Sequence, residues 1–117
     1  MKEILKFSIS DLFKSLREHG LDPDHTLLWG YYFVDRDPDK LMELARKLSR
    51  DGYHLSSLAR EPDGEHYRLY LEKIEIHSPR SLDERNQELQ RIADDLRVMS
   101  YDGSDVGPLP EDEVEES

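Results

Sequence analysis

The run TLLWGYYFVD, residues 26–35, constrains the fold more than any other stretch of this chain. It is too short and too rich in aromatic and β-branched residues for a helix, and it is apolar on both parities. Such a strand has both faces at least partly covered, which places it inside a sheet rather than at an edge. The rest of the chain must therefore supply neighbouring strands and covering helices.

The flanking signals supply both. Ser8 or Ser10 is a candidate N-cap for a leading helix over about residues 8–19, with Asp11 in its first turn. Ile9, Leu12, Phe13 and Leu16 form its apolar stripe and Gly20 its stop. After the strand, Asp35 or Asp37 caps a second helix with Pro38 in its first turn, where a missing N–H is harmless. Leu41, Leu44, Ala45 and Leu48 are its buried face, and Gly52 closes it. A hairpin follows: YHLSSLARE, a turn at Asp63-Gly64 that sets Glu61 against His66, and HYRLYLEKIEI. Apolar parity switches between Leu71 and Ile74, which predicts a bulge near Glu72-Lys73. Pro79 ends that strand, and Ser81 with Glu84 reads as the capping box of a third helix bearing Leu82, Leu89, Ile92, Ala93 and Leu96. RVMSYDG is a short last strand closed by Asp102-Gly103.

The order helix, strand, helix, strand, strand, helix, strand predicts an α+β, ferredoxin-like βαββαβ sandwich with an extra N-terminal helix. Its first and third strands should be central. The leading helix is expected on the otherwise open sheet face or against a sheet edge. One domain over residues 1–104, with its core from about 26, accounts for this order.

Charge divides the chain. Its 27 acidic and 16 basic residues give a formal net charge of −11. Six of the acids lie in residues 105–117, which carry no basic residue and contain Pro108 and Pro110, leaving about −5 for the body. These residues are expected to form a disordered acidic tail. A surface of this sign repels phosphate, so direct nucleic-acid binding is not expected, and a basic protein partner is. No apolar run approaches a membrane span, and MKEILKFSISDLF lacks the features of a signal peptide, so a cytoplasmic location is expected.

No constellation for chemistry emerges. Cysteine is absent, which excludes disulfides and thiolate ligands. His19, His25, His54, His66 and His77 show no ligand spacing, and each reads as a surface or hydrogen-bonded histidine. The carboxylates sit at caps, turns and exposed faces, Ser56 and Ser57 lack a nucleophile elbow, and the six glycines stand singly at turns. No catalytic residue, metal or cofactor is expected. The rings Trp29, Tyr31, Tyr32 and Phe33, with Tyr67 and Tyr70 on the third strand, invite comparison with base-stacking sheets, but basic neighbours are missing. Core packing accounts for most of them, a partner-facing patch next, and RNA last.

The stretch Leu16 to Asp24, LREHGLDPD, the helix end LSRDGYHL, and above all LRVMSYDG at Leu96–Gly103 resemble the regulator of ribonuclease activity B family over about residues 12–107. Family members often continue Tyr-Asp-Gly with Trp, where this chain has Ser104. The resemblance implies a ferredoxin-like fold and a non-enzymatic protein that binds ribonuclease E, mainly its basic scaffold half, and lowers RNA cleavage. It points to Tyr101, Asp102 and Gly103 as partner contacts, with the acidic Glu111, Asp112, Glu113, Glu115 and Glu116 beside them. Two alternatives stay open: an adaptor or immunity-type protein of the same fold with another basic partner, and a small-ligand-sensing dimer.

Overall fold

A computed structural model describes residues 9–110 of the chain. The apolar run becomes β1 (Leu27–Asp35), and its two parities have different fates. Leu27, Trp29, Tyr31 and Phe33 point into the main core, while Leu28 and Tyr32 on the opposite face stay half-buried. Before β1 comes α1 (Ile9–Glu18), and after it α2 (Pro38–Ser49), β2 (His54–Arg60), β3 (Tyr67–Glu75), α3 (Pro79–Asp95) and β4 (Ser100–Gly107). The result is an α+β fold of three helices and a four-stranded antiparallel sheet, ordered β2-β3-β1-β4. That order is consistent with a ferredoxin-like arrangement and puts the first and third strands in the middle, as their apolar character requires.

The helices share one face of the sheet. Leu41, Leu44, Ala45 and Leu48 of α2 and Leu82, Leu89 and Ala93 of α3 pack in one cluster with Trp29, Tyr31, Phe33, Leu69 and Leu71. The leading helix is not on the open sheet face; it joins this same cluster beside α3. Phe13 and Leu16 are buried there, and the Phe13 ring lies 6.0 Å from Trp29. The physical reason is apolar area: the indole offers a larger dry surface than anything on the other face.

Several local expectations shift. Asp37 is the cap of α2, its carboxylate accepting the Asp39 N–H at 2.9 Å. Ser10 lies within α1, and Ser8 is outside the described residues. The third helix starts earlier than Ser81: Ser78 is its N-cap, Pro79 begins it, and Ser81 is the reciprocal partner of the capping box. Pro79 does not end the strand, which stops at Glu75; it opens the helix, the N-terminal position that proline favours. The hairpin closes as expected, with the Glu61 N–H donating to the His66 carbonyl at 2.7 Å and Gly64 at φ 75°. No register shift occurs at Glu72-Lys73. The bulge of this hairpin lies on β2, at Ser56 between Leu55 and Ser57. The apolar switch on β3 has another origin: Ile74 sits half-buried on the open face and Ile76 follows the strand, exposed.

The last strand does not end at Asp102-Gly103. It pairs with β1 as far as Gly107, so Asp105, Val106 and Gly107 belong to the sheet rather than to a tail. Val106 packs against the core, and that apolar contact extends the ladder. Glu111, Asp112, Glu113, Glu115 and Glu116 lie outside the described residues.

Candidate functional site

The entry to β4 is held by a buried carboxylate. Asp35 ends β1, is only 5% exposed, and accepts the N–H groups of Asp37 and Met99 at 2.8 Å each. Burial opposes its charge, but these two N–H bonds and the Lys40 ammonium 3.5 Å away outweigh that and hold its pKa down. Lys40 also donates to the Arg97 carbonyl at 2.9 Å, where Arg97 takes the left-handed φ of 60°. One aspartate therefore ties the end of β1 to the start of α2 and to the entry of β4, just before Tyr101.

Within β4 a bulge separates the predicted contact residues. Tyr32 faces Gly103 and Phe33 faces Tyr101, which leaves Asp102 as the extra residue. Gly103 has φ 108°, a region that favours glycine and lets the strand bend here. Tyr101 turns to the helical side, its ring 5.0 Å from Phe33 and its hydroxyl donating to Asn86 Oδ1 at 2.5 Å. Burial pushes its phenol far up, so it remains neutral. Beside it runs a groove of about 530 Å³ between α1, α3 and β4, with Ile9, Leu12 and Leu82 as apolar lining and Asn86, Gln90 and Ser104 as polar lining. Asp102 turns the other way and pairs with Arg68 at 3.1 Å. The three predicted residues are thus contiguous in sequence but divided between two surfaces.

The surface on the Asp102 side gathers Tyr32 and Tyr70, two of the rings considered above for a partner-facing patch, with Asp105 and Arg68, which the sequence does not single out. Tyr32 and Tyr70 stack with centroids 4.5 Å apart and planes 19° from parallel. Both hydroxyls donate to the Asp105 carboxylate, at 2.6 Å and 3.2 Å. Burial foremost, then the Asp105 hydrogen bond, raises Tyr32 to about 12. Arg68 stands over the Tyr32 ring at 5.6 Å and forms ion pairs with Glu61 at 2.9 Å and Asp102 at 3.1 Å. Gly30 makes this possible. It stands at the centre of β1 and not at a turn, and a Cβ there would lie 2.3 Å from Tyr70 Cε1 and Oη and 2.4 Å from Asp105 Oδ1. A glycine inside a central strand was the one signal of such a close approach.

A second polar cluster ends β3 on the helical side. Glu75 Oε2 accepts from Arg85 at 2.6 Å and from the Tyr31 hydroxyl at 2.7 Å, and lies 3.1 Å from His77 Nε2. Burial would push Glu75 up, but the hydrogen bonds from His77, Arg85 and Tyr31 prevail and hold it at about 2. His77 Nδ1 in turn lies 2.9 Å from Ser81 Oγ. The connectivity Ser81, His77, Glu75 imitates a nucleophile, base and orienting carboxylate. Its setting is that of a structural joint: Ser81 Oγ receives the Ser78 N–H at 2.9 Å as half of the helix cap, and the carboxylate is held by an arginine. The joint fastens β3 to α3, with His77 edge-on to Trp29 at 4.9 Å. His77 is the buried, hydrogen-bonded member of the five histidines. Among the described residues, no three His, Asp or Glu side chains gather as a metal site, and no helix is long and apolar enough to cross a membrane.

Compared with known proteins, residues 8–106 match the family model described as regulator of ribonuclease activity B. That span runs through all seven elements almost to the end of β4. No curated protein matches the chain.

Proposed function

Because the chain belongs to the regulator of ribonuclease activity B family, a regulatory and not a catalytic one, we propose that it binds ribonuclease E through that enzyme's basic scaffold half and lowers RNA cleavage. The observation that carries this reading is the family match over residues 8–106. Charge supports it. A protein of net charge −11 is steered toward an arginine-rich segment and competes with RNA for the same cations. It acts in the cytoplasm and does no chemistry of its own. The acidic Glu111, Asp112, Glu113, Glu115 and Glu116 add to the field that a basic partner meets.

The test is titration calorimetry against the scaffold half of the host's own ribonuclease E at two salt concentrations, with a cleavage assay alongside. Binding that weakens as salt rises, together with slower cleavage, is expected. Absence of binding at low salt with cleavage unchanged refutes the proposal and directs the search, by copurification, to another basic partner.

The groove beside Tyr101 favours a second reading, since about 530 Å³ is the size of a small-molecule pocket. On that reading a metabolite raises the melting temperature, and a protein unresponsive across a metabolite library dismisses it.

A further inference from the structure

The three helices leave one face of the sheet bare of any helix among the described residues. A solvent-facing side of an antiparallel sheet is ordinarily lined by polar side chains. This one instead carries a stacked tyrosine pair, locked from beneath by Asp105 and seated over a glycine. The register places Glu72 and Asp105 on either side of Gly30, in the row next to the rings. Neither carboxylate has a lysine or arginine partner among the described residues, whereas Glu61 and Asp102 are already occupied by Arg68. Half-buried Leu28 and Ile74 continue the face beyond that row.

We infer that this face binds arginine side chains from a basic peptide segment, with the Tyr32–Tyr70 pair as the stacking platform and Glu72 and Asp105 as the carboxylate partners. The chain shows the required chemistry on itself: Arg68 lies over the Tyr32 ring while two carboxylates hold its guanidinium. A planar guanidinium satisfies a ring face and a carboxylate together, which the compact, strongly hydrated ammonium of lysine does less well. RNA is disfavoured here. Four carboxylates stand against Arg68, and both phenol protons are committed to Asp105 and so withheld from phosphate. The inference deepens the proposed function and rests on it for the partner's identity, but the arginine chemistry is testable alone.

The probes are octa-arginine and octa-lysine peptides, followed by calorimetry and amide chemical shifts in the full chain. Octa-arginine is expected to bind about fivefold tighter than octa-lysine, with shifts centred on Tyr32, Tyr70, Glu72 and Asp105. Glu72→Gln, which removes no hydrogen bond of the fold, should weaken it about three- to fivefold. Glu43→Gln, which removes one exposed charge on α2, should change it less than twofold. Equal affinity for both peptides with equal effects of the two substitutions overturns the inference in favour of diffuse charge. An oligouridine that binds and shifts the same amides overturns it in favour of nucleic acid. The ribonuclease E scaffold then separates the two proposals. If it fails to bind while octa-arginine docks on this face, the partner is wrong and the face stands; if it binds the Glu72→Gln and Asp105→Asn proteins as tightly as the parent, the partner stands and the face is wrong.

Discussion

Gly30→Ala tests whether the tyrosine pair depends on a missing side chain. In a central strand alanine is ordinarily the better residue, by about 0.5–1 kcal/mol. Here the new methyl would lie 2.3 Å from the tip of the Tyr70 ring and 2.4 Å from Asp105, so the ring must swing off β1. That move gives up the stack on Tyr32, worth about 0.5–1.5 kcal/mol. It also breaks the Tyr70–Asp105 hydrogen bond, about 1.5 kcal/mol at the low end expected for a half-exposed group and a 3.2 Å separation. Net of the alanine gain, the loss is about 1–2.5 kcal/mol. Denaturant unfolding followed by circular dichroism measures it directly, and a melting point lower by at least about 4 °C should accompany it. The Tyr70→Ala background is the control: with the ring gone only Asp105 still crowds the methyl, so Gly30→Ala should cost at least about 1 kcal/mol less there than in the parent. An equal loss in both backgrounds would refute the reasoning, since the methyl would then act through Asp105 alone and not through the Tyr70 ring.

Four further outcomes follow from contacts named above and from the charge of the chain. Glu75→Gln should destabilise by about 2–3 kcal/mol at pH 7, near the low end for a broken buried pair because Arg85 is 18% exposed. Glu75 titrates at about 2 in the fold against an ordinary 4.5, so its contribution is complete above 4.5 and disappears as pH falls through 2. The stability gap between parent and variant should therefore narrow across that window, and a gap independent of pH contradicts the assignment. Ser78→Ala removes the cap of α3 and should cost about 1 kcal/mol by urea unfolding, whereas Glu84→Ala, at the position expected to complete a capping box, should cost less than half as much. Removing residues 111–117 should leave the melting temperature within about 1 °C while weakening scaffold binding and flattening its salt dependence. A cut at residue 104 should lower the melting temperature by several degrees, because it takes Asp105 and Val106 out of β4.

Most of the architecture was legible because it is written in local spacing. Two-sided apolarity marked β1, helical stripes marked Leu41 to Leu48 and Leu82 to Ala93, Asp63-Gly64 marked the hairpin, and element order then fixed which strands were central. The errors were of reach. The spacing marks Ser81 as part of a capping box, but whether a serine is the cap or its partner depends on where the preceding strand lets go, at Glu75. Asp105 reads as the start of a tail because charge and the nearby prolines dominate that stretch; the β1 edge that pairs with it is about 75 residues away in the chain.

The candidate site shows the same division. Tyr101, Asp102 and Gly103 could be singled out from sequence, yet not that a bulge would send the tyrosine into a groove beside α3 and the aspartate to the opposite surface. Gly30, Tyr70, Glu72 and Asp105 meet only through the register of three strands, and in sequence only the in-strand glycine and the Tyr70 ring hint at it. Sequence by itself determined the elements, their order and the acidic balance, because caps, periodicity and charge act over a few residues. Only the tertiary structure decided which polar groups share a face, because hydrogen bonds and ring stacking act over a few ångströms between residues that the chain keeps far apart.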